Sequence, residues 1–138
     1  MHAKHLAHLM AGGLLLLAGA AAPAAADDTE AICAEAKQQF AEMAFEKAPP
    51  NTVDVLMYKY RFCPPKLTVK AGTAVRFLNV EKRTSHSVWF KEAGKKESDR
   101  LFPEEGITIT LQDPGTYPYL CGPHWETQNM VGELTVTP

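Results

Sequence analysis

Imidazole and sulfur are scarce in this chain, and their scarcity narrows what it can do. His2, His5 and His8 sit in the first ten residues, so His86 and His124 are the only histidines beyond them. The three cysteines, Cys33, Cys63 and Cys121, lie far apart, which removes the resolving thiol that dithiol exchange requires. No βαβ pattern surrounds Cys121-Gly122-Pro123-His124, and no oxyanion pattern accompanies a cysteine nucleophile. Blocks of like charge are missing too, so neither nucleic acid nor an anionic membrane surface is an expected partner. Repeats and low-complexity tracts are absent after the first 26 residues.

Those first residues read as an export signal. Lys4 lies in a short basic region, Ala11 to Ala22 form an apolar run, and Pro23-Ala24-Ala25-Ala26 offers the small residues of a cleavage site. The run is short for a spanning helix, which needs about 20 residues. We therefore expect a signal peptide over 1–26, cleaved, with no membrane span afterwards and a periplasmic destination. The remaining 112 residues suffice for one compact domain. They carry 13 basic against 16 acidic side chains, a mildly negative balance.

Residues 27–52 form an N-terminal helical segment. Asp28 is the expected N-cap, and Ile32, Ala36, Phe40 and Met43 recur at three- and four-residue spacings over Thr29 to Lys47. Glu30 and Lys47 suit the two ends of a helix dipole, and Pro49-Pro50 stops it. That stripe reads as core packing. From Val53 the pattern changes to short strands: Val53 to Phe62, Leu67 to Lys70, Thr73 to Asn79, Val88 to Lys91, Ile107 to Leu111, and two more flanking Cys121 to Met130. Glu92 to Arg100 reads as a solvated mixed-charge hairpin. Short strands with frequent turn signals predict an all-β sandwich or closed barrel over 53–138.

The chemistry converges on Leu120-Cys121-Gly122-Pro123-His124-Trp125-Glu126-Thr127-Gln128-Asn129-Met130-Val131-Gly132, a connection between two strands that carries a thiol, an imidazole and a thioether. His86, in Thr84-Ser85-His86-Ser87-Val88, offers a second imidazole. Together with Val69-Lys70-Ala71-Gly72-Thr73-Ala74-Val75-Arg76-Phe77-Leu78-Asn79, these stretches resemble the cupredoxin family, of the plastocyanin and pseudoazurin type. The resemblance covers roughly residues 53 to 138. It implies a Greek-key β-sandwich and one copper ion cycling between Cu(I) and Cu(II). His86, Cys121 and His124 would be the main ligands, with Met130 as a weak axial donor. Zinc also accepts Cys and His, but a methionine position adds nothing for zinc.

With Cys121 on the metal, Cys33 and Cys63 are left to pair, as an oxidising compartment favours; the alternative is that both stay free. Gly122 is expected to let the backbone approach the sulfur, and Pro123 to stiffen the loop. Two departures from the family pattern stand out. Trp125 to Asn129 place five residues between His124 and Met130, one more than usual, which makes Gln128 an alternative axial donor. Ser87 stands where asparagine is common. Trp125 either shields the metal or forms a docking surface for redox partner proteins. The resemblance implies a monomeric electron carrier rather than an enzyme. A copper-tolerance or delivery protein is the alternative, but the methionine- or histidine-rich tracts such proteins often carry are lacking.

Overall fold

The computed structural model describes residues 28–138, so the expected signal peptide over 1–26 lies outside the described residues. Helix α1 (Thr29–Glu42) is followed by strands β1 (Thr52–Tyr58), β2 (Arg61–Cys63), β3 (Lys66–Lys70), β4 (Ala74–Asn79), β5 (Gly106–Thr110) and β6 (Gly115–Leu120). A one-turn helix α2 (Trp125–Gln128) and strand β7 (Val131–Thr137) complete the order. The strands form two sheets, β2-β1-β4-β5 and β3-β7-β6. Pairing is parallel for β1 with β4 and for β3 with β7, and antiparallel elsewhere. This is the expected Greek-key sandwich.

The two-residue period of a strand explains why β1 and β4 read as nearly continuous apolar runs. Val55, Met57, Val75 and Phe77 point between the sheets, where they meet Phe62, Phe90, Tyr119, Leu134 and Val136. Leu56 and Leu78 point the other way and are buried as well, because α1 covers that face with Ala36, Phe40 and Cys33. Fully burying such a side chain stabilises by roughly 1.5–3 kcal/mol, so both faces of this sheet contribute. The Cys33–Cys63 disulfide joins α1 to β2, with Cα atoms 5.3 Å apart.

Four details differ from the sequence reading. Helix α1 stops at Glu42 rather than Lys47, because Met43 turns extended and Phe45 folds back to stack on Phe40 at 5.6 Å. Lys47 therefore plays no part in the helix dipole. Asp28 occupies the N-cap position, but its side chain makes no cap bond and instead accepts from Arg61 at 3.3 Å. The apolar stretch from Val53 to Phe62 is a hairpin, not one strand. Its turn is Lys59-Tyr60, both at positive φ, without the glycine or asparagine that normally marks such a turn. Val88 to Lys91 is not a strand; Trp89 makes a single bridge to Leu120, and Val88 bonds to Ser98.

Candidate metal centre

The sandwich brings the predicted residues together at one end. Cys121 is the first residue beyond β6, and its N–H donates to the carbonyl of Met130 at 3.0 Å, closing the neck of the loop. The amides of His124 and Trp125 fold back onto the Cys121 carbonyl at 3.0 and 2.9 Å. The loop makes the single turn of α2 and then passes through Asn129, whose left-handed φ of 52° brings the chain back to β7. His86 arrives from the other sheet, paired with Leu101 through two backbone hydrogen bonds of 3.0 and 2.8 Å.

Nδ1 of His86 lies 3.8 Å from Cys121 Sγ, and Nδ1 of His124 lies 3.4 Å from it. All three donor atoms fall within 4.8 Å of one another. Nitrogen and sulfur donors held roughly 2.0–2.3 Å from a first-row metal in a trigonal plane stand about 3.5–4 Å apart, so the set fits such an ion. Met130 is fully buried in the same cluster as Cys121. Gln128 is on the exposed side of α2, with its carbonyl accepting from Arg61 at 3.4 Å.

Without a metal, burial favours the neutral form of both donors, so a metal would have to displace the thiol proton on binding. Burial pushes the Cys121 thiol above its ordinary value, against the pull of the Ser87 amide and hydroxyl. Burial also lowers His124, helped by His86 and Arg100, so its ring stays neutral and able to donate a lone pair. His86 and Cys121 are fully buried, whereas His124 is partly exposed.

The surrounding shell adds Tyr60, Glu81 and Glu97, which sequence reading missed, to Ser87, Gly122 and Trp125, which it singled out. Tyr60, on the positive-φ turn, stands edge-on to His124 at 4.9 Å and to His86 at 6.3 Å. Glu81 Oε1 accepts from the Lys59 amide at 2.6 Å and lies 3.4 Å from His86 Nε2. Asn79, fully buried, donates to the carbonyls of Thr84 and Leu101, both at 2.8 Å, and so braces the segment that carries His86. Ser87 connects the two ligand segments: its amide donates to Cys121 Sγ at 3.4 Å, and its hydroxyl accepts from the Gly122 amide at 2.8 Å. The space beside Gly122 is filled by the Glu97 carboxylate. Trp125 is half-buried, with the Lys91 ammonium 5.0 Å from its ring and 5.1 Å from that of Trp89.

Comparison with known proteins agrees with this geometry. A family model for copper-binding proteins of the plastocyanin/azurin family matches residues 51–137. Amicyanin-alpha of Methylorubrum extorquens is 36% identical over 112 residues, spanning 78% of this chain and 89% of that protein. Plastocyanin of Dryopteris crassirhizoma is 35% identical over 92 residues, spanning 56% and 88%. A variant of amicyanin solved in its reduced Cu(I) form at pH 4 superposes with a TM-score of 0.58 at 28% identity, covering 67% of this chain and 87% of that one. A copper-containing nitrite reductase from Thermus scotoductus, at 24% identity, a TM-score of 0.58 and with only 24% of its chain covered, shares the fold alone.

Proposed function

The chain belongs to the plastocyanin/azurin family of copper-binding proteins, and from that premise we propose that it is an exported carrier of single electrons between protein redox partners. His86, Cys121 and His124 would hold one copper ion, with the Met130 thioether as a weaker further donor. Bound there, copper would supply a Cu(I)/Cu(II) couple. The protein's own contribution is to hold the donors still. Cys121 and Met130 are tied across the loop neck, His86 is clamped to Leu101, and Ser87 spans the two segments. Buried His86 and Cys121 exclude water, while the partly exposed His124 ring offers an edge through which a partner can exchange an electron. Trp125, which follows His124 in the chain and is half-buried, is assigned to the proposed docking surface.

The observation that carries this reading is the grouping of two imidazole nitrogens and one buried thiol within 4.8 Å. Met130 is favoured over Gln128 because it is fully buried in the core cluster that holds Cys121, whereas Gln128 is exposed. Export is supported by the leader composition and by the Cys33–Cys63 disulfide, a bond that persists in oxidising compartments. A carrier is favoured over an enzyme because the similarity spans most of amicyanin-alpha but only a small part of the nitrite reductase.

The test is a Cu(II) titration of the chain from Asp27, followed by visible absorption, EPR, reduction and reoxidation. One equivalent should produce an intense thiolate-to-copper band that bleaches and returns. Tight Cu(I) binding without a stable coloured Cu(II) form would replace the carrier with a copper-handling protein.

A further inference from the structure

The segment Glu92 to Arg100 is not a freely solvated hairpin. Ser98 accepts the Val88 amide on its hydroxyl at 2.9 Å and returns its own amide to the Val88 carbonyl at 3.0 Å. The Trp89 indole donates to the Lys95 carbonyl at 2.9 Å. These bonds hold the segment along the extended stretch that follows His86, and they deliver one carboxylate to the metal centre. Glu97 Oε1 accepts the Ser87 hydroxyl proton at 2.6 Å.

That contact decides which way the Ser87 hydroxyl points. A hydroxyl has one proton to give. When the proton goes to Glu97, the oxygen's lone pairs are left for the Gly122 amide, which donates to it at 2.8 Å. Ser87 then joins the His86 segment to the Cys121 segment in one orientation, with its own amide aimed at Cys121 Sγ. Both carboxylate oxygens of Glu97 crowd the site where a side chain on residue 122 would begin. Gly122 therefore leaves room for the carboxylate.

We propose that Glu97 is a positioning residue of the copper centre: it orients the Ser87 hydroxyl and so locks the two ligand-bearing segments, with Gly122 as the space it requires. The inference rests on the copper reading above for its functional meaning, but the lock itself belongs to the protein without metal. Outer partners of this kind orient metal ligands, and their loss typically costs about 10–100-fold in affinity.

The experiment is amide hydrogen exchange by NMR on the metal-free full chain, followed by copper loss to a chelator from the loaded protein. In Glu97→Ala the Gly122 amide should exchange at least about tenfold faster, while core amides such as Phe77 stay protected. Glu97→Gln keeps an oxygen acceptor and should restore slow exchange. Gly122→Ala displaces the carboxylate without altering it, so the residue 122 amide should exchange as fast as in Glu97→Ala. In the loaded protein, Glu97→Ala and Gly122→Ala should both release copper about tenfold faster and shift the thiolate band, with Glu97→Gln close to wild type. Unchanged Gly122 exchange in Glu97→Ala would overturn the proposal, as would a rise that includes Phe77 equally. Failure of wild type to form a coloured site would instead overturn the copper reading, leaving the exchange result to be judged separately.

Discussion

Glu81 faces Nε2 of His86 at 3.4 Å, on the ring edge opposite the nitrogen that faces Cys121. The same carboxylate oxygen accepts the Lys59 amide at 2.6 Å, so the positive-φ turn that places Tyr60 and the orientation of His86 share one anchor. A carboxylate behind a ligating imidazole fixes its tautomer and raises its basicity. Glu81→Gln keeps the shape but loses the charge. It should weaken Cu(II) binding by about tenfold, measured by competition with a calibrated chelator. Affinity equal to wild type would show that the carboxylate only anchors the turn.

Cys121→Ser separates the site from the fold. The thiol is fully buried, and serine is slightly smaller, so stability should fall by no more than about 1–2 kcal/mol. The far-UV spectrum should be unchanged while the intense visible band disappears. A variant that keeps the band would remove Cys121 from the ligand set.

Strand periodicity and the spacing of Cys121, His124 and Met130 make the sandwich and the donor set legible in the sequence itself. The shell around them is not. Lys59-Tyr60 turns through left-handed conformations without glycine, so nothing local marks Tyr60 as a neighbour of both imidazoles. Glu81 and Glu97 are ordinary acidic residues in charged stretches, and their roles arise only when the chain brings them to His86 and Ser87. The early end of α1 has no breaker to announce it. The stacking of Phe45 on Phe40 is a tertiary contact, and it overrides a sequence that would continue as helix.

Tyr119 predicts an unusual substitution. Its ring packs against Phe62, Phe77 and Phe90, yet its buried hydroxyl has no protein partner among the described residues. A buried hydroxyl without a partner costs about 1–3 kcal/mol. Tyr119→Phe should therefore leave stability unchanged or raise it by about 1 kcal/mol, read from the urea midpoint. Gly132→Ala should do the reverse, because a methyl group there would overlap the same ring.

The Cys33–Cys63 bond closes a separation of 30 residues and attaches α1 to the sheet. On the loop-entropy account its removal in a Cys33→Ser/Cys63→Ser variant costs about 3–4 kcal/mol. The visible band should survive at low temperature, since neither residue touches the donor set. Loss of the band without loss of fold would mean that α1 helps shape the centre, through Arg61, which reaches both Asp28 and the Gln128 carbonyl.

Alkaline stability tests the thiol itself. Burial raises Cys121 above its ordinary value of 9.0 in the metal-free fold. A group whose folded value is raised contributes stability that is fully present below its unfolded value and lost as pH climbs through the folded one. The metal-free protein should thus weaken on moving above pH 9, as measured by urea midpoints across that range. Lys59 and Tyr119 are raised as well, so the difference between wild type and Cys121→Ser isolates the thiol. Because the metal binds the thiolate, copper uptake at about pH 8 should also release about one proton per ion, detectable with an indicator in weak buffer. Parallel stability curves for the two proteins would mean that folding leaves the Cys121 thiol unshifted, and uptake without proton release would mean that Cys121 is already ionised before the metal arrives.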